Sequence, residues 1–372
     1  MAVSVSDIIK IVEEIAPLRL SEKWDNSGLQ VGDKDHAVRR VVIALDPRPD
    51  VVAYACSVNA DLLITHHPLI FKPLKSIDFA TPVGKIIKLA LENRLAIYSA
   101  HTNFDSAGSG LNEILAARMG LKGVAVLCKP EVRKKCKLVF YVPTEQKNKL
   151  LKALFETTAG MIGDYTCCSF LSEGHGTYKP GGTSLPFKGK SGTVECAEEV
   201  RIETIIEASD VDTVVRHLKK NHPYETMAYD IYPLTGGEVT AGLGRVGMLA
   251  EPLTLQAFSE HVKKVLDIDW LKIAGDKKMI VKKVALCTGS GASLMNEFFA
   301  SGADVYVSGD LHFHDALTVE EKGLGLVDAG HFATEILIAE SLTKKLHEIC
   351  SANNYSVEFI ACPIEKDPFT LI

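Results

Sequence analysis

Short continuous apolar runs alternate along the chain with stretches whose apolar positions recur every three or four residues. Runs of the first kind read as strands buried on both faces and stretches of the second as helices, so their alternation predicts a parallel α/β layer. The run Val41-Val42-Ile43-Ala44-Leu45 passes through Asp46-Pro47 into a helix over residues 50–60. A second strand, Leu62-Leu63-Ile64, ends in Thr65-His66-His67-Pro68. After a helix over residues 83–93, a third strand, Leu95-Ala96-Ile97-Tyr98, ends in Ser99-Ala100-His101-Thr102-Asn103-Phe104-Asp105. Ahead of these, Ser6 is expected to cap a first helix, with Ile8, Ile9, Ile11, Val12 and Ile15 on its apolar face and Pro17 just past its end.

The last third repeats this order. Val284-Ala285-Leu286-Cys287 runs into Thr288-Gly289-Ser290-Gly291, a helix over residues 293–300 and the strand Asp304-Val305-Tyr306-Val307. That strand ends in Ser308-Gly309-Asp310-Leu311-His312-Phe313-His314, and a further one, Gly325-Leu326-Val327, ends in Asp328-Ala329-Gly330-His331 with Glu335 four residues on. Ala60-Asp61 aligns with Ala303-Asp304, and the pair His101 and Asp105 aligns with His331 and Glu335. Two related α/β halves facing each other are therefore expected. Between them the grammar changes to strand, helix, two strands, helix and strand, the βαββαβ order of a ferredoxin-like domain. A Gly/Pro/Ser-rich stretch, residues 173–192, reads as a long exposed loop within it, of a composition that favours mobility over a rigid ligand shell. The expected division is residues 1–130 for the first half, 131–236 for the insert and 237–372 for the second half.

Composition narrows the classes. With 372 residues, 47% of them hydrophobic, the chain has ample material for two or three domains. Its 41 basic and 47 acidic side chains leave a formal charge of −6, which disfavours a sequence-independent nucleic-acid coat. The nine cysteines are scattered without a CxxC pair and read as reduced, and no apolar run reaches the ~20 residues of a spanning helix. A cytoplasmic protein without a membrane segment is expected.

Six of the twelve histidines, His66, His67, His101, His312, His314 and His331, fall at or just beyond the carboxyl ends of four expected strands. Open α/β sheets bind ligands at that edge. An isolated histidine is more often a hydrogen-bonded surface or core residue than a ligand, but clustering with Asp105, Asp310 and Glu335 changes the balance. This mixed imidazole and carboxylate set suits zinc, iron, manganese or nickel rather than calcium. Adjacent His66 and His67 point apart on a continuing strand, so they serve two neighbouring ions more readily than one. A dinuclear site is the economical reading. Gly242-Leu243-Gly244-Arg245-Val246-Gly247 fits GxGxxG but lacks the strand before it and the helix after it that a dinucleotide site needs. The glycines from Gly289 could cradle an anion or form a plain turn. Arg245 is a candidate phosphate contact, Trp24-Asp25-Asn26-Ser27-Gly28 reads as a loop near the strand ends although Trp24 is by type more often core, and His222-Pro223-Tyr224-Glu225 reads as a helix stop.

Thr65-His66-His67-Pro68-Leu69-Ile70-Phe71, His101-Thr102-Asn103-Phe104-Asp105, Ser308-Gly309-Asp310 and Gly330-His331-Phe332-Ala333-Thr334-Glu335 resemble the dinuclear-metal Nif-three-like family, also called GTP cyclohydrolase I type 2 homologues. Trp24-Asp25-Asn26-Ser27-Gly28-Leu29-Gln30 fits the same pattern. The insert resembles the PII-like or CutA-like domain of the long bacterial members of the YqfO type, which form toroidal hexamers. The resemblance implies that His66 and Asp105 bind one divalent ion, that His67 and His331 bind the other, and that Glu335 bridges them. It implies two ions per chain, zinc, iron or manganese, and a homohexamer.

The expected function is a metal-dependent hydrolase of a nucleotide-like or phosphorylated substrate, with His101, His312 or His314 handling protons. A cyclohydrolase-type activity is implied by the family name alone. The competing expectation is a non-enzymatic metal-binding regulator or metal carrier.

Overall fold

The apolar runs fold as strands whose successive side chains serve two different cores. Val41 and Ile43 enter one core while Val42 and Ala44 enter another, and Val284 and Leu286 likewise diverge from Ala285 and Cys287. A strand buried on both faces reads as an unbroken apolar run for this reason. The computed structural model describes residues 3–129, 135–163, 165–234 and 241–370. The two expected domain junctions, 130/131 and 236/237, lie outside the described residues. The described chain divides into two compact units, residues 3–129 with 241–370, and residues 135–234.

Before the second unit come β1 (Gly28–Val31), β2 (Arg40–Ala44), β3 (Leu62–Thr65), β4 (Ala96–Ser99) and β5 (Lys122–Cys128). The second unit holds β6 (Lys135–Pro143), β7 (Ser169–Tyr178), β8 (Glu195–Glu207) and β9 (Tyr229–Pro233). The chain then returns to the first unit with β10 (Leu243–Thr254), β11 (Lys272–Ala274), β12 (Ile280–Ser290), β13 (Val305–Gly309), β14 (Gly325–Asp328) and β15 (Glu358–Ala361). The first unit builds two sheets, β1-β4-β3-β2-β15 and β11-β14-β13-β12-β10-β5. In one, β2, β3 and β4 are parallel with β1 antiparallel at the edge; in the other, β12, β13 and β14 are parallel with β11 antiparallel at the edge. The far edges break the sequence order, because β15 joins the sheet of β1 to β4 and β5 joins the sheet of β10 to β14. A shared core takes Ile43, Ile64 and Tyr98 from one sheet and Leu286, Val307 and Val327 from the other, together with Ile8, Leu115, Phe258 and Leu342 from helices.

The matched Ala-Asp dipeptides occupy equivalent places. Asp61 accepts hydrogen bonds from the backbone N–H groups of Arg39 and Arg40 at 2.7 and 3.0 Å, and Asp304 accepts from Lys282 and Lys283 at 2.8 Å each. Each carboxylate braces the start of the preceding parallel strand. The first helix, Val5–Ile15, begins two residues earlier than expected: Ser4 caps it, in a reciprocal box with Asp7, while Ser6 lies inside. Ser4 wins because its side chain and that of Asp7 together satisfy the amides of both cap positions.

The second unit runs β6, helix Lys147–Phe155, β7, β8, helix Val211–Asn221, β9, with sheet order β7-β8-β6-β9, antiparallel throughout. The stretch expected to be a loop is in part strand. Residues 173–178 belong to β7 and pair with β8 from Glu173↔Val200 to Tyr178↔Glu195. Cross-strand pairing with a 13-residue partner outweighs the local preference of its glycines for turns.

Candidate metal centre

The carboxyl ends of the parallel strands in both sheets of the first unit bring the expected residues together. His66 and His67 follow β3, His101 and Asp105 follow β4, and His331 and Glu335 follow β14. Three overlapping triads have their donor atoms within 4.8 Å of one another: His66, Asp105 and Glu335; His67, His331 and Glu335; and His66, His67 and His101. Glu335 belongs to two of them, and its oxygens divide. Oε1 lies 3.6 Å from His66 Nε2, while Oε2 lies 3.0 Å from His67 Nε2 and 2.8 Å from His331 Nε2. Asp105 Oδ1 is also 3.6 Å from His66 Nε2 and accepts a hydrogen bond from Thr288 at 3.2 Å.

Each of the four imidazoles is held from behind through Nδ1. His66 meets the Ala100 carbonyl at 2.8 Å, His67 meets Asp46 at 2.8 Å, His101 meets Asp25 at 2.8 Å and His331 meets Asp310 at 2.7 Å. An oxygen acceptor at Nδ1 fixes the proton there and leaves the Nε2 lone pair facing the centre, the outer-shell arrangement that histidine ligands of metal ions carry. His66 is completely buried and its Nε2 has no hydrogen-bond partner, so a polar atom lies orphaned where a cation fits.

The electrostatics agree. Burial pushes the His67 and His331 imidazoles toward neutrality, but Asp46 and Glu335 around one and Glu335 and Asp310 around the other outweigh it, raising them to about 10 and about 9. Burial favours the neutral form of Glu335, yet His66, His331 and His67 hold it well below the carboxylate range. Burial and the Glu335 charge raise Asp105 against the pull of His66. A cluster this charged and this buried needs cations, either protons or metal ions.

Several residues gain roles that the sequence did not reveal. Asp25 is buried beneath His101 and also accepts from the Thr102 backbone at 3.2 Å. Burial works against its charge, but the His101 and Thr102 hydrogen bonds hold its pKa well below the ordinary carboxylate range. Trp24 is 59% exposed rather than core, with its ring 6.0 Å from His101 and 5.9 Å from Phe71. Gly289 is no anion cradle: its amide donates to Thr334 Oγ1 at 2.9 Å, and its bare Cα, at φ +63°, makes room for the Glu335 carboxylate. Arg245 is not free to hold phosphate. It is 1% exposed and spends its donors on Glu113 and on the carbonyls of Gly242, Gly244 and Ala107 at 2.7–2.8 Å. His312 and His314 lie exposed at the start of helix Phe313–Glu321, with His312 3.2 Å from Asp315, and join none of the triads. Beside His67 and His331 opens a cavity of about 530 Å³ walled by Trp270, Phe332 and Phe369 and by Asp46, Asp310, Asp328 and Asp367. Among the described residues, Lys272 is the one lysine or arginine in its wall, 3.4 Å from Asp328.

The family model Duf34/NIF3 (NGG1p interacting factor 3) matches residues 3–368. The chain belongs to this family. Among its NIF3 relatives, proteins named GTP cyclohydrolase 1 type 2 homolog from Bacillus subtilis and Halalkalibacterium halodurans are each 38% identical to it, the first over all of both chains and the second over 98% of both. A Bacillus cereus crystal structure described as a protein related to NIF3 covers the whole of both chains at 40% identity, with a TM-score of 0.71. Among the described residues of this NIF3 chain, no helix is long and apolar enough to cross a membrane.

Proposed function

We propose that the chain holds two divalent ions and acts as a metal-dependent hydrolase on a nucleotide-like or phosphorylated substrate. His66 and Asp105 hold one ion, His67 and His331 hold the other, and Glu335 bridges them. The division of the Glu335 oxygens between His66 on one side and His67 with His331 on the other carries this reading. Zinc, iron and manganese all suit the donor set. When bound, such a pair supplies Lewis acidity and activates water at neutral pH. The Ala100 carbonyl, Asp46 and Asp310 fix the tautomers of three ligands, and Asp25 fixes His101. We assign proton handling to His101 Nε2 rather than to His312 or His314, which stand outside the triads.

A second reading, a metal-binding regulator or metal carrier, is favoured by the adjoining cavity. Four aspartates and one lysine make a poor clamp for a phosphorylated substrate, which calls for Arg and Lys. Metal analysis followed by turnover of a panel of nucleotides and phosphoesters separates the readings. Metal-dependent hydrolysis that Asp25→Ala slows with both ions retained supports the hydrolase. Two ions without turnover support the regulator or carrier, and protein that takes up no ion defeats both.

For the whole molecule, the proposal is two related α/β halves, residues 1–130 and 237–372, forming the metal-binding unit, with residues 131–236 inserted as a ferredoxin-like domain of the PII/CutA kind. The βαββαβ order and the braces at Asp61 and Asp304 support it. A cytoplasmic homohexamer is the proposed assembly, and a monomer mass by light scattering at micromolar concentration refutes it.

A further inference from the structure

The second unit contains a cavity of about 630 Å³, within the ~300–1,000 Å³ of small-molecule sites, and all of its lining residues lie within residues 141–228. Along β7 and β8, Gly174 pairs with Glu199 and Gly176 with Ala197. With side chains alternating in period two, these four share one face of the sheet, where the glycines leave backbone bare. Gly174 faces open space, and at Gly176 the missing side chain leaves room for Glu199. A methyl group on Gly176 would stand 2.7 Å from the Glu199 carboxyl carbon and overlap its oxygen.

The rest of the wall is built by the segment that the sequence offered as a helix stop. His222 ends the helix Val211–Asn221, and its Nε2–H donates to the Tyr141 carbonyl at 2.9 Å while its Nδ1 accepts from the Tyr224 amide at 3.1 Å. This places Tyr224 so that its hydroxyl donates to Glu199 Oε1 at 2.7 Å. Next to it, Glu225 accepts from the Leu185 amide at 3.0 Å and pins the turn that carries Phe187. Tyr178 and Phe187 stand against Tyr224 with ring centroids 6.4 and 6.1 Å away, a continuous aromatic wall.

We infer that this cavity binds a nucleoside-sized flat heterocycle whose edge carries two adjacent N–H donors. The ring covers the aromatic wall and the open backbone at Gly174, surfaces that a compact ammonium head would leave largely uncovered. Glu199 accepts the two donors in the bidentate manner of a carboxylate, since one hydrogen bond from Tyr224 leaves most of its lone pairs free. The site shares no residue with the candidate metal centre and does not depend on the reading given for that centre.

Calorimetric titration of the full-length protein with guanosine, which has the required edge, tests this. Saturable binding is expected below about 1 mM. Inosine, which lacks the exocyclic amine, is expected to bind roughly tenfold more weakly, as is guanosine to Glu199→Gln. Phe187→Ala, a change at a partly exposed position that leaves the fold intact, is expected to weaken guanosine binding, and Glu335→Gln to leave it unchanged. The inference is overturned by an absence of saturable binding, by equal affinity for guanosine and inosine, or by tighter binding of choline. Loss of binding in Glu335→Gln with retention in Glu199→Gln also overturns it, as does a segment of a second copy seated on Gly174 and Gly176 in an experimental structure of the assembly.

Discussion

Replacing Gly289 by alanine tests the metal centre without touching a ligand. The added methyl would stand 2.8 Å from the Glu335 carboxyl carbon and 3.3 Å from His331 Nε2, and it would overlap Glu335 Oε1 outright. Carbon atoms rest at about 3.5–4.0 Å, so the carboxylate must retreat by roughly 1 Å. Metal ligands tolerate displacements of only about 0.2 Å, so under the proposed bridging role of Glu335 both ions would lose a bond. An affinity loss of at least about 100-fold is expected, since disturbing a group behind a ligand already costs 10–100-fold. Backbone strain contributes separately, because Gly289 has φ +63°. Gly302 has nearly the same backbone, φ +67°, with open space where a methyl would go. Gly302→Ala therefore carries the strain alone, about 1 kcal/mol, and should keep its metal. Metal titration and thermal unfolding of the two variants side by side separate the terms. If Gly289→Ala binds metal as tightly as Gly302→Ala, Glu335 does not occupy the bridging position and the dinuclear geometry is wrong.

Glu335→Ala should lose both ions and His67→Ala mainly one; unchanged metal content in Glu335→Ala by elemental analysis would remove the bridge. Metal-induced stabilisation should grow with pH. The metal-free site draws stability from protonated His67 and His331 that is fully present below about pH 6.5 and is lost as pH rises through about 9 and 10, whereas ions require those imidazoles unprotonated, so the rise in Tm on adding metal should increase from pH 6 to 9. A flat or falling profile would contradict it. Arg245→Met should destabilise the protein by about 3 kcal/mol in denaturant unfolding, because three carbonyls and Glu113 lose their donor at a buried position; a neutral result would show that these contacts are not structural.

Much of the metal centre was legible because its positions follow from local rules. Continuous apolar runs mark parallel strands, and the residues that follow such runs share one edge of the sheet, which brought His66, His67, His101 and His331 to attention. The four-residue spacing of His331 and Glu335 became a helical turn with a 2.8 Å contact. The groups behind the histidines were less legible. Asp25 reaches His101 across 76 residues, and Asp310 meets His331 across 21 from φ +52°, a backbone that no pattern in the sequence announces. The roles of Gly289 and Arg245 were illegible for a related reason: a glycine turn and a buried cation each fit an anion site by type, and only their neighbours show that one clears space for a carboxylate and the other ties carbonyls together.

The sheet edges were illegible on different grounds. β5 and β15 each pair with a sheet built by the opposite end of the chain, a choice made by long-range packing rather than by periodicity. This exchange bears on the metal centre. Because β15 lies parallel to β2 and β5 pairs with β10, the two sheets are tied to each other at their far edges as well as through the shared core. A site that draws His66 and His67 from one sheet and His331 and Glu335 from the other needs the two held in fixed register, since ligand distances allow so little error. Two sheets meeting only at an apolar face could slide; sheets that each take an edge strand from the chain segment of the other cannot do so without breaking ladder hydrogen bonds. The exchanged strands thus give the candidate metal centre a rigid frame although neither supplies a residue of its triads.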